Sequence, residues 1–219
     1  MEQSPDPTLE TLPADIPLFP LSGAMLFPRW GLPLNIFEPR YLNMIDDAMA
    51  SHRLIGMVQT VGGDRAHPRL ASIGCVGRIM DYSETEDSRY LITLLGLIRF
   101  RIDAELDAPK PYRQAQVNFA PFADDLALPQ EFASPDHEMI IAALKPYAKA
   151  CGLEADWDTV TQSGIEDLVS ALSAGCPFDV MEKQALLEAP DLQARAKMLI
   201  HLMAINTSQA DKNGGQSLQ

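Results

Sequence analysis

Ile16–Ile45, IPLFPLSGAMLFPRWGLPLNIFEPRYLNMI, is the stretch on which the fold turns. Five prolines interrupt a run of large apolar side chains, and the apolar positions keep neither a helical nor a strand period throughout. Proline fixes φ and removes a backbone donor, so the stretch must break into short extended pieces joined by turns. Ile16–Pro20 and Leu32–Phe37 are the extended pieces, and Ser22–Gly31 is the loop between them. Pro39 suits the first turn of a helix, where its missing N–H leaves no bond unmade. Tyr41, Met44, Ile45 and Ala48 then follow at the spacing of one helical face. So much apolar surface in so irregular a segment is stable only if it packs, or if it binds something.

Working outward, Leu54–Val61 reads as a strand closed by Gly62-Gly63-Asp64. Ala71–Tyr82 and Arg89–Leu97 flank the polar run Ser83–Ser88 and predict a hairpin. Ile98–Ile102 alternates arginine with apolar residues, the pattern of a half-buried strand, and Gly96 marks a bulge or bend beside it. Tyr112–Phe119 is the last strand. Beyond Pro121 the composition shifts to Pro, Ala and acidic residues, and then the apolar period becomes helical. Met139, Ile140, Ala143, Leu144 and Tyr147 share one face, with Pro146 as a kink. Ser163 with Glu166 has the form of a capping box, Asp179-Val180-Met181-Glu182 opens a further helix, and Asp191 opens a last one with Ala194, Met198, Leu199 and Leu202 inward. The expected organisation is a flexible leader over 1–14, a β-rich domain over 15–120, a linker over 121–134, a helical bundle over 135–207 and a disordered polar tail over 208–219. The class is α+β.

Composition narrows the function. The 219 residues carry 17 basic and 30 acidic side chains, a net charge of −13. Such a field repels phosphate backbones and anionic lipid. Ten of the eleven arginines fall before residue 121, so a local basic patch in the first half is the one opening left for RNA. Cys75, Cys151 and Cys176 form no ligand pattern, and an odd, widely spaced set reads as reduced thiols in a cytoplasmic setting. His52, His67, His137 and His201 are scattered, so neither a metal nor a cofactor is expected. No apolar run is long enough to span a bilayer.

Several blocks, in order, resemble one family. Pro17-Leu18-Phe19-Pro20-Leu21, Leu26-Phe27-Pro28, Leu32-Pro33-Leu34 and Ile36-Phe37-Glu38-Pro39-Arg40-Tyr41 are similar to the start of the Lon protease N-terminal, substrate-binding domain. Ile73-Gly74-Cys75-Val76-Gly77-Arg78-Ile79 and Leu94–Ile102 resemble two of its strands, and Lys183–Glu188 with Asp191 and Arg195 its helical part. The resemblance runs over roughly Ile16 to Met203. It implies a PUA-like β-pseudo-barrel followed by a helical bundle, and a non-catalytic module that binds unfolded or hydrophobic polypeptide segments, working as an adaptor with a protease or ATPase partner. No GxxxxGK[ST] phosphate loop occurs in these residues, so a module without ATPase or protease domains is expected. PUA-like barrels also suggest RNA binding as the alternative.

Within this frame Met25, Leu26, Phe27 and Trp30 form the candidate polypeptide-binding loop, against the alternative that they pack beneath the helix at Pro39. A second copy of the chain is a further partner such a loop would suit. Glu38, Pro39, Arg40 and Tyr41 read as a structural motif: Glu38 accepts free N–H groups at the helix start, and Arg40 pairs with a carboxylate across the sheet. Asp46-Asp47 and Asp124-Asp125 read as solvated acidic faces.

Overall fold

Proline placement divides the opening segment as its sequence requires. Strand β1 (Asp15–Pro20) ends on a proline, β2 (Gly31–Ile36) carries Pro33, and helix α1 (Pro39–Met49) begins on Pro39. The computed structural model describes residues 7–64, 68–127 and 135–215; Met1–Asp6 of the leader, 128–134 of the linker and 216–219 of the tail lie outside them. The described residues fall into two compact units, one before and one after residue 128.

In the first unit β3 (Leu54–Val58), β4 (Thr60–Gly63), β5 (Pro68–Leu70), β6 (Ile73–Glu84), β7 (Tyr90–Leu106) and β8 (Gln114–Asn118) follow α1. Pairing runs β7–β6–β3–β1–β8 and returns from β8 to β7, so five strands close on themselves. β1 and β3 are parallel, and the other neighbours are antiparallel. β2 stands outside this ring, paired along Tyr90–Leu95, the N-terminal half of β7. The 17-residue β7 therefore serves two neighbourhoods, and its register breaks between Val76/Ile98 and Gly77/Gly96. That is the bulge the glycine announced. Ile16, Leu18, Val76, Ile98 and Phe100 fill the ring, and Phe100 meets Phe119 edge-on at 6.5 Å. α1 turns Tyr41, Met44, Ile45 and Ala48 inward as the spacing predicts.

Asp46-Asp47 stays at the surface, though Asp47 is engaged, and Asp125 departs from the solvated reading. Asp47 accepts from the Tyr112 hydroxyl at 2.6 Å and pairs with Lys110 at 2.9 Å, contacts that hold its carboxyl below the usual range. Asp125 lies in a 3-10 segment, Ala120–Leu126, inside the stretch expected as linker. Its carboxylate takes Nε and Nη2 of Arg99, each at 2.8 Å, and the Arg99 backbone N–H at 3.0 Å. Arg99, expected on a solvent face, is 3% exposed and stacks over Phe122. A buried guanidinium is tolerable only with such a two-pronged partner, which is why the segment folds back on β7.

The second unit holds α2 (Pro135–Cys151), α3 (Trp157–Gln162), α4 (Ile165–Gly175), α5 (Val180–Glu188) and α6 (Leu192–Gly215). Ile140, Leu144 and Tyr147 of α2 are buried as expected, whereas Met139 is exposed. α6 buries Leu199 as expected, together with Ala196 and Met203, while Ala194, Met198 and Leu202 are half-buried. Residues 208–215, expected to be disordered, continue α6, since extending a helix already packed costs far less than starting one. Asp179 and Glu182 form the capping box of α5. Ser163 does not cap α4; its hydroxyl donates to the Thr159 carbonyl and closes α3, and Gly164 starts α4. Two buried cations finish helices that lack a glycine cap. Lys183 Nζ donates to the Ala174 carbonyl at 3.0 Å, and Arg195 Nε to that of Leu186 at 2.9 Å.

Asp125→Ala strands the Arg99 charge in the interior and should lower the unfolding free energy by about 3–5 kcal/mol in urea denaturation, with much of it recovered in Asp125→Ala/Arg99→Met. Burial pushes the Cys176 thiol up from its ordinary 9.0 to about 12. The fold thus prefers the neutral thiol, while the unfolded chain ionises first. The stability this group contributes is whole below pH about 9 and is lost as pH rises from there toward about 12. Cys176→Ala should flatten the alkaline fall in stability, measured by denaturation at pH about 8 and about 10.5.

Candidate functional site

The loop between β1 and β2 was the leading sequence candidate, and its geometry is decided by two facing glycines. Gly77 of β6 and Gly96 of β7 are cross-strand partners at the bulge. A Cβ on Gly96 would lie 2.0 Å from the Phe27 carbonyl oxygen, and one on Gly77 would lie 2.6 Å from Cδ2 of Leu26. The paired glycines leave a slot into which Leu26 and Phe27 descend. Gly23 donates its N–H to the buried Gln59 side chain at 3.0 Å, the Arg29 N–H meets the Gly96 carbonyl at 2.7 Å, and the Gly96 N–H meets the Trp30 carbonyl at 3.0 Å. The Arg29 guanidinium reaches the carbonyl of Asp125.

Burial follows. Met25, Leu26 and Phe27 are 3%, 1% and 0% exposed, and Trp30 is half-buried. The first three are therefore core, and their burial stabilises the fold by about 1.5–3 kcal/mol each. Sequence reasoning left their packing open, because the glycines that receive them lie 50 and more residues away. The Glu38–Tyr41 motif makes contacts other than those expected. The Glu38 side chain makes no cap; its backbone carbonyl accepts from Tyr41 and Leu42, and its carboxylate holds Arg40 at 2.8 Å instead of a partner across the sheet. The Arg40 guanidinium lies over the Tyr41 ring, which is packed against Phe19.

An open apolar surface lies on the three strands projecting from the ring. Phe37 is 62% exposed, beneath Arg89, and Met80, Tyr82 and Leu91 are exposed with it. Pro33, Asn35, Leu91, Thr93, Asp81 and Ser83 line a shallow groove of about 520 Å³ across β2, β7 and β6. Trp30 and Phe37 bracket β2 at its two ends. The sequence held a signal for this surface: Leu91, Ile92, Leu94 and Leu95 are apolar on both faces of a strand whose neighbour carries a proline. Tyr82 and Tyr90 pack edge-on at 5.0 Å, and Asp46 accepts from the Tyr90 hydroxyl, which holds that phenol protonated. Among the described residues, no three His, Cys, Asp or Glu side chains converge to hold a metal ion.

Residues 15–204 match the family model of the ATP-dependent protease La (LON) substrate-binding domain. The chain belongs to that family. It is 29% identical over 209 residues to Lon protease 2 of Myxococcus xanthus, covering 89% of this chain and 24% of that protein. With the Lon protease of Anaeromyxobacter dehalogenans it shares 28% identity over 203 residues, 89% of this chain and 23% of the other. The chain thus spans about a quarter of the length of the curated relatives it matches. The fold is that of a Lon N-terminal domain protein from Xanthomonas campestris, with a TM-score of 0.61 at 21% identity over 85% of this chain and 97% of that one. The N-terminal domain of a Mycobacterium avium complex Lon protease gives 0.60 at 19% identity, over 87% and 98%. The chain is α+β, a mixed sheet with helices, as the sequence predicted. No helix among the described residues is long and apolar enough to cross a membrane.

Gly96→Ala drives a methyl group into the Phe27 carbonyl and should cost at least about 2 kcal/mol, read as a lower midpoint in thermal or urea unfolding.

Proposed function

We propose that this LON-domain chain binds segments of other polypeptides and serves proteolysis or quality control as a recognition module or adaptor, with no chemistry of its own. Its membership of a substrate-binding family over residues 15–204 carries this reading. The exposed apolar surface on the projecting strands supports it. Side chains as large as Phe37 and Leu91 are left in water, where burying each against a guest would contribute about 1.5–3 kcal/mol. Association and ordering cost about 4 kcal/mol or more, so the affinity expected is about micromolar or poorer. Such weak, shape-tolerant binding fits a reader of many clients. The sequence-based candidates contribute through Trp30, while Met25, Leu26 and Phe27 support the loop from inside. Partners of the proposed activity are unfolded or hydrophobic polypeptide segments and, downstream, a protease or ATPase.

The test is fluorescence anisotropy with a labelled, reduced and carboxamidomethylated protein that cannot refold. Wild type should bind it at micromolar concentration, and Phe37→Ala/Leu91→Ala should weaken binding by about tenfold without lowering the unfolding midpoint. Absence of binding by the folded wild type at about 500 μM would end the proposal.

A further inference from the structure

The phase of the β2–β7 ladder can be read from one bond. The Gly96 N–H donates to the Trp30 carbonyl, so that carbonyl faces β7 at the head of the ladder. Antiparallel pairs alternate, and the register sets Gly31 opposite Leu95, Leu32 opposite Leu94 and Pro33 opposite Thr93. Leu32, Leu34 and Ile36 therefore turn their backbone groups toward β7, and Gly31, Pro33 and Asn35 turn theirs away. Proline fits that phase, because the missing N–H falls on the outward side. The outward groups are the N–H and C=O of Gly31, the C=O of Pro33, and the N–H and C=O of Asn35. All three residues are exposed, and among the described residues no hydrogen bond takes those groups. β2 ends the strand order, so this row is an open sheet edge.

We infer that this edge takes an extended segment of a foreign polypeptide as an added strand, which gives the proposed binding activity its mode; the inference rests on that reading. An outward row of donors and acceptors at strand spacing is satisfied by one kind of partner, a second strand. Alternate residues of the guest, those opposite Gly31, Pro33 and Asn35, point to the same face as their partners. They lie along the wall of the groove that Pro33 and Asn35 form with Leu91 and Thr93. Apolar guest residues at those positions extend the buried surface, while Trp30 and Phe37 stand at the two ends of the edge. Main-chain bonds supply sequence tolerance, and the groove supplies a preference for apolar residues at every second position.

A second copy of this chain fits the edge less well. Each copy carries a net charge of −13, and each Pro33 removes a donor from a self-paired ladder. Six residues of edge also fall short of the roughly 1,200–2,000 Å² that a stable interface buries. The other free edge of the projection, the last residues of β6, is a poorer host. Its register breaks between Ile79 and Asp81, and it carries Asp81 and Glu84. The occupant is thus an unfolded, non-acidic segment with apolar residues at alternate positions.

Asn35→Pro tests this, because it removes one of the two outward N–H donors and leaves every bond to β7 in place. Asn35→Ala removes the side chain and keeps the donor. With the same carboxamidomethylated probe, Asn35→Pro should bind at least fivefold more weakly than Asn35→Ala, at an unchanged unfolding midpoint. In amide hydrogen exchange, Gly31 and Asn35 should exchange freely in the free protein and become protected with the probe bound. Equal binding by Asn35→Ala and Asn35→Pro, with no protection at those amides, would overturn strand addition and leave polypeptide binding by the groove standing. Protection that rises with the protein's own concentration in the absence of probe would also overturn it, in favour of a second copy. No binding of the probe at all would remove the functional proposal and this inference together.

Discussion

The contact between Gly96 and the Phe27 carbonyl governs more of this unit than its size suggests. Two glycines meet across β6 and β7 at a bulge, and the backbone of the preceding loop is laid into the space they leave. From that contact the rest follows in chain order. Leu26 and Phe27 enter the core, Arg29 and Trp30 bond to Gly96, and β2 starts in the one register those bonds permit. α1 then follows with Tyr41, Met44, Ile45 and Ala48 facing in. A side chain at either glycine would displace the loop, and with it the phase of β2. The Arg99–Asp125 pair acts three residues further along the same strand, fastening the 3-10 segment whose Asp125 carbonyl also receives Arg29.

Local chemistry made part of this visible in the residues themselves. The face of α1 was legible because four apolar residues recur at helical spacing after a proline. The bulge was legible because glycine inside an apolar strand has few other uses, and the α5 cap because Asp179 and Glu182 satisfy each other within one turn. What escaped was set by residues distant in sequence. Nothing near Asp125 says that Arg99, 26 residues earlier, will need it. Ser163 and Glu166 have the form of a cap, yet the Ser163 hydroxyl is already taken by the turn before it. The short α3, capped by Asp156, has no buried residue and so leaves no apolar period to detect.

The candidate site shows the same division more sharply. The loop drew attention because it concentrates Met, Leu, Phe and Trp, but concentration of apolar residues cannot tell a surface from a core. Burial places three of the four in the core. The open surface is built from Phe37, Leu91 and the rim of β2, residues that are unremarkable singly and meet only because β7 carries β2 on one side and β6 on the other. Family membership supplies the functional frame, and the phase of one ladder supplies a way for that frame to operate.

β2 and the end of β6 also bear on how much of this protein a solution can hold. Open strand edges are the points at which folded molecules join into aggregates, and closing five strands into a ring leaves the projection as the six-stranded sheet's exposed margin. Each margin carries its own gatekeeper, a proline on β2 and a bulge with acidic neighbours on β6. Pro33 breaks the continuous run of donors that stacking copies would need, while leaving enough of the edge for one short guest. The same residue thus keeps a sticky strand usable, and its loss would be felt first as precipitation.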